Sequence, residues 1–97
     1  IMETLMIRLV EITKEFKAYG LREIFVNPEH VISLREDTHM KQSLTEGKLT
    51  GLDGLSLHQS FTKLSLDKGT VGLEITVVGS PALVESKLRE DKVLLHG

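Results

Sequence analysis

The sequence predicts a mainly β domain of the α+β class, a curled antiparallel sheet or small β-barrel of about five strands with one C-terminal helix. Apolar residues alternate with period two over residues 71–78, which is typical of a strand with one face on a core. Residues 61–66 alternate in the same way, and Asp67-Lys68-Gly69 between the two runs favours a tight antiparallel hairpin. Gly79-Ser80-Pro81 then ends the second strand and opens a helix.

The predicted helix runs from Pro81 to about Glu90. Ser80 is expected to cap it, because a serine hydroxyl accepts a hydrogen bond from an N–H group of the first turn, and Pro81 has no N–H group to leave unpaired. Its core side is expected to carry an apolar stripe of Leu83, Val84 and Leu88. Its solvent side is expected to carry two i,i+4 ion pairs, Glu85 with Arg89 and Lys87 with Asp91.

The N-terminal run, residues 4–13, is apolar on both faces. It predicts a strand that is buried or carries a bulge, with a helix as the competing alternative, since short apolar runs fit both. The β-branched residues Ile7, Val10 and Ile12 favour the strand. Ala18-Tyr19-Gly20 predicts a turn after it.

Two further strands are predicted at residues 21–27 and 31–35. In the first, Ile24 and Val26 face one way and Phe25 faces the other, and Pro28 ends the strand because proline cannot donate to a ladder. In the second, Ile32 and Leu34 face inward, and the charged run Arg35-Glu36-Asp37 ends the strand at solvent.

Residues 38–59 form a Gly/Leu-rich insertion within a single domain that spans residues 1–97. A loop longer than about a dozen residues is usually functional or disordered, and its last residues could also extend the following strand into a hairpin arm. Its leucines are expected to be buried, either against the parent sheet or against a second subunit or partner. Our hypothesis is that residues 48–57 pack against another copy, and that the apolar C-terminal tail adds a final strand; the candidate interface residues are Leu49, Leu52, Leu55, Leu57, Val93, Leu94 and Leu95.

Composition narrows the class of function. Apolar residues make up 40% of the chain and charged residues 27%, which is typical of a folded globular domain. The net charge of −2 and the scattered cations disfavour nucleic acid as a partner. The absence of cysteine excludes thiolate chemistry and fits a reducing cytoplasm. No apolar run approaches membrane-spanning length, no targeting pattern opens the chain, and Ile1 before Met2 is expected to be an expression remnant.

No motif in the sequence indicates catalysis or a metal site. The four histidines lie on separate segments, so a metal site would need His39 and His58 to meet across the insertion, and surface histidines are the favoured interpretation. The carboxylate pairs Glu36-Asp37 and Glu90-Asp91 are expected at solvated ends of elements. No GxSxG elbow or phosphate loop is present, so we expect neither an enzyme nor a cofactor.

Four segments follow one another in a recognisable order: the run from Glu23 to Leu34, the run 61–66 with Gly69, the valine-rich strand and residues 80–88. This order resembles the small FlbD-like proteins of bacterial flagellar operons and similar short phage proteins. The insertion at residues 38–59 and the residues before the first strand are not part of that pattern. The resemblance implies a small accessory protein and no catalytic residue.

The sequence therefore favours binding as the function: a homo-oligomeric accessory or regulatory protein, bacterial or phage in origin, that holds a protein or small ligand at a subunit boundary. One alternative is a module that sequesters a nucleotide-like anion, with candidate ligand-binding residues Arg22, Lys48, Gly51, Gly54, His58 and Lys63. The other is an OB- or Sm-like RNA binder, whose stacking residues would be Phe16, Tyr19, Phe25 and Phe61.

Overall fold

The computed structural model describes residues 6–52, 54–69 and 71–96. Five strands form one open antiparallel sheet in the order β2-β1-β5-β4-β3, so β2 and β3 are its edges. The mainly β prediction with one C-terminal helix is confirmed, and the sheet is open rather than closed as a barrel. The elements are β1 (Ile7–Glu15), β2 (Ala18–Val26), a 3₁₀ turn (Pro28–His30), β3 (Val31–Glu36), α1 (Thr38–Thr45), β4 (Phe61–Lys68), β5 (Val71–Val78) and α2 (Pro81–His96).

The β1–β2 hairpin pairs in unbroken register from Ile7 opposite Val26 to Glu15 opposite Ala18. Residues 7–15 are therefore a strand and not a helix. The turn is formed by Phe16 and Lys17, so the predicted turn at residues 18–20 was wrong, and those residues belong to β2. Phe16 has a positive φ of 54° and a fully exposed side chain at the tip of the hairpin. The hairpin joins the other three strands where Glu11 of β1 lies opposite Val77 of β5.

One face of the sheet is covered by α2. Alternate residues of four strands point to this face and pack against two side chains of the helix, Val84 and Leu88. The buried residues of this first core cluster are Ile7, Leu9, Val26, Leu64, Ile75, Val77, Val84 and Leu88.

The opposite face is covered at one end by α1 and the segment that follows it. Ile12 of β1 and Phe61 of β4 point to this side, and Phe61 is completely buried. This second core cluster consists of Ile12, Leu44, Leu49, Leu52 and Phe61. The sheet thus has a core on each face, whereas the alternation of residues 61–66 suggested only one.

The predicted insertion therefore begins with a helix. The side chain of Asp37 caps α1 by accepting a 3.0 Å hydrogen bond from the N–H group of Met40, and Gly47, with a φ of 74°, lies just past the helix end. Asp37 was predicted to end β3 at solvent and is instead buried under α1. The hairpin-arm alternative was wrong, because β4 begins only at Phe61.

A bulge in β3 changes which residues face the core. Val31 lies opposite Leu66 and Ser33 opposite Ser65, so Ile32 is the extra residue. Its side chain is 67% exposed, and the prediction that Ile32 faces inward was wrong. Leu34 is partly buried against the first core cluster, as predicted.

The β4–β5 hairpin has the predicted pairing, from Phe61 opposite Val78 to Lys68 opposite Val71, and Gly69 has a φ of 73°. Leu73 shares a face with buried Ile75 but is 45% exposed, because it lies nearer the turn that joins β4 to β5.

The helix α2 begins as predicted, since the Ser80 hydroxyl accepts a 3.2 Å hydrogen bond from the N–H group of Leu83. The Leu83 side chain is exposed rather than part of the core stripe, and Glu85 forms the predicted ion pair with Arg89. The helix continues to His96, so neither its predicted end near Glu90 nor a final strand at residues 92–97 is correct.

Candidate functional site

The first part of the β2 edge is closed by the segment that follows α1. The N–H group of Tyr19 donates a 2.8 Å hydrogen bond to the carbonyl oxygen of Thr50, and the Thr50 hydroxyl donates a 2.7 Å hydrogen bond to the carbonyl oxygen of Lys17. Gly51 follows with a φ of 95°, and a Cβ atom there would lie 2.8 Å from the carbonyl oxygen of Tyr19. Only glycine fits this contact between segment and strand.

The rest of the β2 edge is open. In a hairpin with a two-residue turn, the residues that flank the turn form a hydrogen-bonded pair, and the pattern then alternates along the strands. The register therefore directs the N–H and C=O groups of Arg22 and Ile24 toward β1. Those of Leu21, Glu23 and Phe25 point away from the sheet, and no backbone partner for them occurs in the described part of the chain. The Tyr19–Thr50 bond has the outward direction that this alternation requires.

Exposed apolar side chains lie beside this open edge, on the face that α1 covers only in part. We call Val10, Leu21 and Phe25 the apolar strip. Phe25 is 55% exposed and Leu21 43% exposed, and Met6, just before β1, is also exposed. The Arg8 guanidinium forms an ion pair with the Glu23 carboxylate at 3.4 Å on the same face. The two charged groups beside the apolar strip are thus already paired with each other.

An open groove of ≈ 380 Å³ adjoins the apolar strip. It lies between the start of β2 and the segment after α1, and its lining is apolar side chains and glycine backbone: Gly20, Leu21, Gly51, Leu52, Gly54 and Leu55. A second groove of ≈ 420 Å³ lies between β3 and α2, where Arg89 is already paired with Glu85. Neither lining presents an unpaired cation that would attract an anion.

The predicted ligand-binding residues are not brought together within one chain. Gly51 and Gly54 line the apolar groove, but Arg22 and Lys63 point to opposite faces of the sheet. His58 is exposed in a turn. The Lys48 ammonium is bound to the Glu46 carboxylate at 2.8 Å.

The Glu46–Lys48 pair is an exposed local interaction. The hydrogen bond from Lys48, a second one from Gln42 at 3.0 Å, and the charge of Lys48 together lower the pKa of Glu46 from its ordinary value. The hydrogen bond to Glu46 and its charge likewise raise the pKa of Lys48. Lys48 is therefore engaged with its neighbour rather than directed at a ligand.

The predicted leucine interface is divided by the structure. Leu49 and Leu52 are buried in the second core cluster, and Leu55 packs against it, so these three side chains take the parent-sheet alternative. Only Leu57 of the four is well exposed. Val93, Leu94 and Leu95 lie in the last turns of α2, and their side chains, with those of Glu90 and Asp91, lie outside the part that the structure describes.

The described residues form neither a metal site nor a surface that could stack bases. Among residues 6–52, 54–69 and 71–96, no group of three or more His, Asp or Glu side chains is placed to hold a metal ion. Phe61 is buried and Tyr19 packs on the second core cluster, which leaves Phe16 and Phe25 exposed at opposite ends of the hairpin. At about 3.3 Å per residue these two rings lie roughly 30 Å apart, too far to stack neighbouring bases.

Comparison with known proteins gives no matching family model, no significantly similar curated protein and no significantly similar solved structure. Neither helix in the described part of the chain has the length and apolarity that crossing a bilayer requires. The site is thus defined by its geometry alone. Sequence reasoning placed Phe25 on the face opposite Val26 but missed that β2 is an edge strand, because strand order depends on the β1–β5 pairing.

Proposed function

We propose that this chain is a non-enzymatic binding protein that works as a homo-oligomer, with its subunit boundary on the β2 side of the sheet. The observation that carries the proposal is the coincidence of an open strand edge with the apolar strip. Exposed backbone groups and exposed apolar side chains at one place are typical of a surface that another chain covers.

A protein segment suits this boundary better than an anion does. The groove beside the apolar strip is lined by leucine and glycine, and the cations of the sequence-based anion site lie on separate faces or are paired. Apolar side chains beside open backbone groups favour an extended chain, which can bind through both kinds of contact. We therefore favour the protein-binding hypothesis over nucleotide sequestration and RNA binding.

The accessory role and the cytoplasmic, bacterial or phage setting are carried over from the absence of cysteine and from the resemblance to the FlbD-like proteins. The role and the setting are thus parts of the proposal, as the oligomeric state is. Purification from the native host with native mass spectrometry tests this role, because a retained protein segment supports it and a retained nucleotide contradicts it.

The oligomeric state is tested by measuring the mass in solution by light scattering, since one chain has a mass of 10.8 kDa. We expect the wild-type mass to be that of more than one chain, and Phe25→Asp to lower it while the circular dichroism keeps its β signature. Ile32→Asp is the matched control, because Ile32 lies on the opposite edge and is at least as exposed as Phe25. A wild-type mass of one chain at tens of micromolar contradicts the proposal.

A further inference from the structure

We propose that β2 pairs antiparallel with β2 of a second copy, across a two-fold axis at Glu23, so that two sheets become one. This inference rests on the proposed homo-oligomer and specifies its geometry. It is carried by the bounds of the open edge and by the positions of Leu21 and Phe25 within it.

The open edge has a defined length. At its beginning Tyr19 is already bound by Thr50. At its end the carbonyl oxygen of Asn27 accepts a hydrogen bond from the N–H group of His30, and Pro28 has no N–H group to donate. The free outward groups are therefore those of Leu21, Glu23 and Phe25, and Glu23 is their midpoint.

A two-fold axis at Glu23 uses all these groups. In that register Leu21 of one copy lies opposite Phe25 of the other, twice, and Glu23 lies opposite itself, which gives about six interchain hydrogen bonds. An axis at Arg22 would bring Tyr19 into the pairing, and an axis at Ile24 would bring in Asn27, although both have backbone groups already occupied. The neighbouring registers thus lose hydrogen bonds.

The same register brings together the two side chains of the apolar strip that lie on β2, Leu21 and Phe25. Antiparallel strands are related by an axis perpendicular to the sheet, so the α1 side of both copies faces the same way. The exposed side chains of Leu21 and Phe25 become cross-strand neighbours, which stabilises antiparallel pairs. The same strand pairing thus shields these side chains and satisfies the open backbone groups.

The charges permit this arrangement. Two glutamates directly opposite each other repel, but each Glu23 is already paired with Arg8 of its own chain at 3.4 Å. The centre of the interface is then two ion pairs rather than two free carboxylates. The other edge is less suited, because β3 has six residues to the nine of β2 and carries a bulge, which disrupts pairing.

Disulfide trapping tests the register. The chain has no cysteine, so Glu23→Cys gives one thiol per copy, and opposed residues in a hydrogen-bonded pair have Cα atoms about 5.5 Å apart, within disulfide range. We expect mild oxidation to convert most of Glu23→Cys to a linked dimer. Ser33→Cys, exposed on β3, is the control and should stay largely unlinked.

Proline substitution tests the hydrogen bonds. Glu23→Pro removes an outward N–H group and leaves the bonds to β1 in place, so the mass should fall to one chain, whereas Glu23→Ala should keep the wild-type mass. If the wild type is oligomeric while Glu23→Pro keeps that mass and Glu23→Cys does not link, the edge pairing is wrong and the homo-oligomer stands. A monomeric wild type contradicts both. If Glu23→Pro unfolds, the disulfide result decides.

Discussion

The Asp37 carboxylate joins α1 to the middle of the sheet, because its Oδ2 atom accepts a 2.8 Å hydrogen bond from the Thr76 hydroxyl on β5. Its other oxygen caps α1 at the N–H group of Met40. The N–H group of Asp37 donates to the carbonyl oxygen of Phe61. One buried residue thus fixes the helix, its entry angle and its position over the second core cluster.

Asp37→Ala should lower the free energy of unfolding by about 2 to 4 kcal/mol, since it removes the cap and leaves the Thr76 hydroxyl without its partner. Thr76→Val is the matched variant, which keeps the cap but leaves the buried Asp37 Oδ2 atom without its donor, and should cost about 1 to 2 kcal/mol. Urea titration followed by circular dichroism measures both. Equal losses for the two variants would mean that the cap contributes nothing.

Ile75 and Leu73 give a comparison on one strand and one face. Ile75→Ala should cost about 2 to 5 kcal/mol, because it leaves a cavity in the first core cluster. Leu73→Ala should cost less than about 1.5 kcal/mol, because the leucine keeps nearly half of its exposure. Urea unfolding of both variants checks the order, and a larger loss for Leu73→Ala would contradict the position of α2 on the sheet.

Gly51 and Gly47 separate backbone strain from steric contact. Both have positive φ, but a Cβ atom at Gly47 meets open space, whereas one at Gly51 meets the carbonyl oxygen of Tyr19 at 2.8 Å. Gly47→Ala should cost about 1 to 2 kcal/mol from the left-handed conformation, and Gly51→Ala should cost more.

Hydrogen exchange localises the effect of Gly51→Ala. The Tyr19 amide, which is bound to Thr50, should exchange faster in Gly51→Ala than in Gly47→Ala. Unchanged protection of this amide would show that the segment after α1 does not close the edge through this contact.

The Glu46–Lys48 pair predicts a pH effect of known sign. Lys48→Met should raise the pKa of Glu46 back toward its ordinary value, with the Gln42 hydrogen bond still lowering it in part. NMR titration of the Glu46 carboxyl measures the change, and Lys63→Met on β4 should leave it unaltered. A lowered pKa in the folded chain stabilises it above the pKa of the unfolded state, and this contribution is lost as the pH falls through the lowered value.

The sequence predicts an element correctly where the signal is local, such as an alternation of apolar residues that faces a single core. The alternation of residues 71–78, the glycine turn at Gly69 and the Ser80-Pro81 start of α2 all depend on neighbouring residues, and each matches the structure. The opposite orientations of Phe25 and Val26 follow from the same rule.

The remaining features depend on distant contacts or, for α1, on short local signals within the insertion. Phe61 alternates with the residues that face the first core cluster, and nothing in the neighbouring sequence shows that α1 covers it. The bulge at Ile32 has no signature in the alternation. The helix α1 did have one, in the Asp37 cap, the four-residue spacing of Met40 and Leu44, and Gly47 at the end.

The contact between β1 and β5, where Glu11 meets Val77, has a kinetic consequence. The β1–β2 and β4–β5 hairpins each form from residues close in the chain, which is fast. The seam between β1 and β5 instead requires closure of the whole segment from residue 11 to residue 77, and contacts of such sequence separation slow folding. Until that seam closes, β1 and β5 are unpaired edges in addition to β2 and β3, so the folding chain exposes more strand edge to its neighbours than the native chain does.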